Sequence, residues 1–190
     1  MSLPVPSPRK PLHTRRISFE GFAREDDLFD IDAELVDFKS YPIQMNERGE
    51  LPPGEAIHHM RIRVTVDATL TIRAIATAME SAPFGECQAA TDPMQKLVGA
   101  TLGAGWRKAI DTAIGGVAGC THMRELLFNL ATAAFQTIPG YLAQQAKDRG
   151  EVRPVGAPPP FFLGKCMSWD LAGPVVRRLM PMHYRPPTGS

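Results

Sequence analysis

Cysteine is scarce in this chain of 190 residues, and its three copies fit no common framework. An odd set, Cys87, Cys120 and Cys166, excludes a fully paired disulfide scaffold and suits a reducing compartment. There is no Cys-x-x-Cys pair and no His-x3-His pair, so neither zinc-finger nor zinc-ribbon spacing is present. The common catalytic signatures are missing too: no Gly-x-Ser-x-Gly elbow, no Walker A loop, no dinucleotide-binding glycine fingerprint after a strand, no His-Glu-x-x-His. The stretch "GATLGAG" has the glycines of a phosphate loop, but no Lys-Ser/Thr follows it. No apolar run approaches the roughly 20 residues that span a bilayer. A formal charge of +1 gives no broad basic field for nucleic acid or an anionic membrane, so neither is expected as a partner. The first residues, "MSLPVPSPRKPLHTRR", carry prolines and bases but no apolar core of a secretory signal. Together these exclusions make a cytoplasmic protein the expectation.

What is present suits a folded domain: 44% hydrophobic and 22% charged residues supply both a core and a solvated surface. A proline-rich, disordered stretch is expected over 1–14, an α+β core domain over 15–148, a Pro/Gly linker over 149–160, a C-terminal segment docking on the core over 161–184, and a tail over 185–190. Within the core, "RRISFEGFARED" and "LFDIDAELVDFK" predict two strands around an acidic turn. Phe29, Ile31, Ala33 and Leu35 alternate with Asp30, Asp32 and Glu34, the period-2 pattern of a half-buried strand. After a polar loop, "NERGELPPGE", the strand "AIHHMRIRVTV" places His58, Met60, Ile62, Val64 and Val66 on one face and His59, Arg61, Arg63 and Thr65 on the other. "DAT" turns it into "LTIRAIATA". The result is an antiparallel sheet of about four strands from two hairpins.

Beyond Pro83 the spacing becomes helical. "DPMQKLVGATLGAGWRKAIDTAI" reads as two short helices, because Gly99, Gly103 and Gly105 each weaken a continuous one by up to about 1 kcal/mol. A main helix opens near Cys120 and buries Met123, Leu126, Leu127, Leu130, Ala134 and Ile138, with His122, Glu125, Asn129 and Gln136 opposite. Pro139-Gly140 is expected to bend or end it. Strands first and helices afterwards make an α+β fold with helices packed on one face of the sheet.

The chemistry-bearing candidates are His58, Cys87, Cys120 and His122, which the sheet–helix interface can bring together as a metal site. Thiolate and neutral imidazole are the preferred ligands of zinc and of iron–sulfur centres, the two cofactors this set implies. A helix start stabilises a thiolate at Cys120, and Glu125, one turn after His122, is placed to orient the imidazole. Against these stand plainer readings: a buried cysteine is commonly inert packing, and a histidine on an apolar strand face is commonly hydrogen-bonded core. His59, beside Arg61 and Arg63, reads as solvated. Cys166 reads as packing, with a fourth-ligand role open. Asp26, Asp27, Asp30 and Asp32 suggest a cation site, but strand alternation and an acidic turn explain them more simply.

The ordered segments "REDDLFDIDAELVDFK", "IHHMRIRVTVDATLTI", "APFGEC", "GATLGAGW" and "GCTHMRELL", with a later cysteine followed by "PVV", resemble the bacterial family DUF2889 from Arg15 to Pro181. The family pattern has an acidic residue after the strand histidine where this chain has His59, so the resemblance points to His58. More distantly, the order of hairpin, loop cysteine, helix and cysteine-opened helix is similar to NifU/IscU-type iron–sulfur scaffold proteins, with Cys87 and Cys120 in comparable positions. The chain lacks that group's Gly-Cys-Gly and Gly-Asp-Val-Met segments. Three functions follow as expectations: a Cys/His metal site acting on a small-molecule substrate, a metal-free enzyme with Cys120 as nucleophile and His122 or His58 as base, and an accessory subunit of a larger enzyme partner. On the second, Cys120 and His122 stand two apart at a helix start and are not expected to face each other.

Overall fold

The computed structural model describes residues 2–151 and 158–187; the middle of the expected linker and the last tail residues lie outside the described residues. The chain divides into two compact units, Met1–Gln145 and Ala146–Ser190. The first contains a four-stranded antiparallel sheet in the order β1 (His13–Ala23), β2 (Phe29–Lys39), β5 (Ala56–Val66) and β6 (Ile72–Ser81). Its inner face is the alternation read from the sequence: Phe29, Ile31, Ala33 and Leu35 of β2, and Met60, Ile62, Val64 and Val66 of β5, are all buried. The loop expected between β2 and β5 instead holds a small hairpin, β3 (Ile43–Met45) with β4 (Gly49–Leu51), which anchors itself through buried Leu51.

Two helices begin in the second half of this unit: α1 (Trp106–Ile114) and α2 (Thr121–Asp148). The six α2 residues expected inside are buried, and Ala131 joins them. Of the two short helices expected over 92–114, the second is α1 and the first is a 3-10 turn, Asp92–Leu97, because Gly99 takes φ +89° and Thr101 then bridges to Thr71. Pro139 does not end α2; the helix continues to Asp148, with Ala134 and Ile138, both before the proline, held in the core. Two glycines allow close approach. A Cβ on Gly21 of β1 would sit 2.3 Å from Thr137 Oγ1 of α2, and one on Gly119 would sit 2.6 Å from the Ile114 carbonyl oxygen. The tight turn from α1 into Cys120 and α2 therefore depends on Gly119. In the second unit, α3 (Pro174–Leu179) buries Val176, and the Phe162 and Trp169 rings lie 4.6 Å apart.

Candidate metal centre

The inner-face alternation of β2 does not stop at Leu35. Two residues on, in the same phase, comes Asp37, only 1% exposed although it is a carboxylate. Strand register sets its neighbours: Arg15 of β1 lies opposite it on one side and His58 of β5 on the other. A row Arg15–Asp37–His58 thus crosses three strands at the end of the apolar stripe. The first turn of α2 lowers His122 onto this row, with its ring centroid 4.0 Å from that of His58.

Asp37 is the hub. Arg15 grips it as a fork, Nε donating to Oδ1 and Nη2 donating to Oδ2, each at 2.8 Å. Arg15 Nη1 also donates to Glu125 Oε2 at 2.8 Å. Glu125 therefore braces the arginine; it reaches the carboxylate through Arg15 and does not orient His122 by a hydrogen bond. His58 Nδ1 lies 3.2 Å and His122 Nε2 lies 3.8 Å from Asp37 Oδ2. His13 Nε2 stands 3.4 Å from Oδ1 at the more exposed rim. Although His58 Nδ1 is within ion-pair distance of Asp37, it is not aligned for a hydrogen bond, and it is buried without a hydrogen-bond partner. A buried ring nitrogen without a hydrogen-bond partner calls for an explanation, and it makes His58 Nδ1 a candidate ligand atom.

The electrostatics keep the donors in metal-binding form. Burial, reinforced by the neighbouring His122, lowers the His58 pKa. Burial and the positive charge of Arg15 lower that of His122. Burial pushes the Asp37 carboxyl up, but the hydrogen bonds and charge of Arg15 outweigh it and hold it below the usual range. Near neutral pH the site therefore offers two neutral imidazoles and one carboxylate. One ligand atom from each of Asp37, His58 and His122 lies within 4.8 Å of the others, close enough to share one ion.

The structure brings together only part of the set expected from sequence. His58 and His122 meet; Cys87 and Cys120 do not join them, and among the described residues no cysteine belongs to a metal-competent group. An iron–sulfur cluster, which needs thiolates, does not fit these donors. Cys120 instead touches His122 from behind, its Sγ 3.7 Å from Nδ1, so the expectation that the two would not face each other is overturned. The bend at Gly119 turns the Cys120 side chain back toward the first helical turn. Cys87 and Cys120 both line a cavity of about 510 Å³ with Phe84, Ala90 and Val117. Cys166 is exposed in the second unit. His59 is not simply solvated: Nε2 meets Glu34 at 2.7 Å and Nδ1 meets Glu80 at 2.9 Å on the outer face. The acidic residues of β2 are likewise engaged, Asp30 with Thr65 and Asp32 with Arg63.

The family model described as "Protein of unknown function (DUF2889)" matches residues 13–136, more than half of the chain. The chain belongs to this family. No curated protein and no solved structure matches it, so the layout likeness to NifU/IscU-type scaffolds gains no support. In this DUF2889 chain, the matched span contains the whole row of His13, Arg15, Asp37 and His58 together with His122 and Glu125. No helix among the described residues is long and apolar enough to cross a membrane.

Reading the sequence missed Asp37, Arg15 and His13. The signal was present: carrying the period-2 pattern of β2 one step past Leu35 places a carboxylate in phase with the core.

Proposed function

We propose that Asp37, His58 and His122 hold one divalent first-row metal ion, zinc or ferrous iron, and that the site acts on a small molecule. Two imidazoles and one carboxylate form the donor set shared by open catalytic zinc sites and by non-haem ferrous sites. The observation that carries the reading is the buried, unpartnered His58 Nδ1, 3.2 Å from the Asp37 carboxylate. A bound ion there would supply Lewis acidity toward water or a polar substrate group. The protein's own groups do the rest. Arg15 fixes the orientation of the carboxylate and offsets its charge. Cys120 contacts the far nitrogen of His122 and sets the pose of its ring. Cys120 also lines the 510 Å³ cavity it shares with Cys87.

A second reading rests on a separate observation. Cys120 Sγ, His122 Nδ1, His122 Nε2 and Asp37 Oδ2 form a chain with gaps of 3.7 and 3.8 Å. That is the order of a thiol nucleophile, its base and the carboxylate that orients the base.

Titration of chelator-treated protein with zinc, and separately with ferrous iron under argon, decides between them. The metal reading expects one equivalent bound, lost in Asp37→Asn, His58→Gln and His122→Gln, and retained in Cys87→Ser and Cys166→Ser. A replaced ligand should weaken binding by more than about 100-fold, the upper range for an outer-sphere partner. No stoichiometric metal, with Cys120 alkylated rapidly at neutral pH, would overturn it in favour of the thiol reading.

A further inference from the structure

The sheet has two edges, and the fold treats them differently. The outer edge of β6 is covered over its first four residues, Ile72 to Ile75. Ile72 N–H donates to the Ala100 carbonyl, Gly99 N–H donates to the Ile72 carbonyl, and Gln95 Nε2 donates to the Ile75 carbonyl, each at 2.9 Å. The outer edge of β1 is bare: among the described residues no backbone hydrogen bond reaches it outside its pairing with β2, and all of its eleven residues but Thr14 and Phe19 are exposed. A bare edge of this length is a template for another strand.

The outer-face charges of this strand also lack ion-pair partners, although Arg16 lies over the Phe38 ring at 5.2 Å. On the outer face the neighbouring strands are densely paired, with Asp32 on Arg63 and Glu80 on Arg61 and His59. Arg16 and Glu20 of β1 share that face, and among the described residues neither has an ion-pair partner. Glu20 moreover lies in register with Asp32, a like charge. On the inner face Ile17 is 39% exposed.

We propose that β1 is an association edge for a second copy of this chain, the two strands pairing antiparallel about Ser18. This register is self-complementary. Arg16 falls opposite the partner's Glu20, and Glu20 opposite the partner's Arg16, so both unmatched charges are paired twice over. Ile17 falls opposite the partner's Phe19 on the inner face, and both helical layers stay on one side of a continuous eight-stranded sheet. Opposite the site residues Arg15 and His13 come the partner's Gly21 and the partner's Ala23, two small residues that leave the metal centre uncrowded. An isologous contact of this kind closes at the dimer.

Sedimentation equilibrium of the full chain across roughly 1–100 µM tests the proposal. The wild type should sediment as a dimer. Arg16→Glu and Glu20→Arg should each raise the dimer dissociation constant tenfold or more by placing like charges opposite each other. The double variant R16E/E20R should regain the dimer, and each single variant should keep the wild-type circular dichroism spectrum. Ser18→Cys should cross-link to a covalent dimer under mild oxidation. A wild type that remains monomeric, a dimer indifferent to both charge reversals, a double variant that does not recover, or S18C that does not cross-link overturns the proposal.

Discussion

The two ends of one strand pair differ sharply. At one end of β2 and β5, Phe29 faces Val66 and Ile31 faces Val64, all buried and apolar. At the other end, in the same phase and on the same face, Asp37 faces His58. The apolar end does what burial alone requires. The polar end is not needed for that, because a buried ion pair stabilises little more than well-packed apolar side chains of the same volume. The alternation would have accommodated a leucine at position 37. A carboxylate there, forked by Arg15 and flanked by two imidazoles, is a departure from the cheapest solution, and such departures concentrate at functional sites.

The largest effect should come from damaging the apolar end. Ile31→Ala leaves a cavity and should cost about 2–5 kcal/mol in urea unfolding, while bound metal per chain stays unchanged. At the polar end, Arg15→Met strips the fork from a buried carboxylate and should cost about 1–3 kcal/mol. Arg15 is itself about a third exposed, which keeps the figure below that for a fully buried pair. Unlike Ile31→Ala, this variant should also weaken metal binding, by about 10–100-fold. If the two variants affect metal equally, the ends are not functionally distinct.

Acid sharpens the contrast further. In the unfolded chain both imidazoles protonate near their ordinary value, about 6.5; in the fold burial makes them protonate lower. The unfolded state therefore binds more protons in that window. The contribution of the polar end is complete above about 6.5 and is lost as pH falls toward the lowered values. Asp37, also lowered, adds a second loss in the same direction below its unfolded pKa of about 3.9. In chelator-treated protein, thermal unfolding against pH should show the first of these slopes, and His58→Gln/His122→Gln should flatten it. A double variant with an unchanged slope would place the titration elsewhere.

The smallest effect is expected on the outer face. Arg63, paired with Asp32 but more than half exposed, should cost under about 1 kcal/mol as Arg63→Ala, with metal binding untouched.

Much of this was legible in the residues themselves. The period-2 runs of β2 and β5 and the helical stripe of α2 fixed which side chains face inward, because each periodicity follows from backbone geometry alone. His58 and His122 were legible as candidates for the same reason, one at the end of a core-facing strand stripe and the other at a helix start. The role of Asp37 was not, since its importance depends on having Arg15 and His58 beside it across two strand registers, and register is not a local property. Nor could spacing separate the histidines from the cysteines. Cys120 is only two residues from His122, yet the bend at Gly119 sends its sulfur to the far side of the imidazole and toward a cavity shared with Cys87. The sequence by itself determined the layers, the core and the polar groups that sit at its margin. Tertiary structure alone decided which of those groups share a site, because three strands and a helix, remote along the chain, had to place their ends within a few ångströms of one carboxylate.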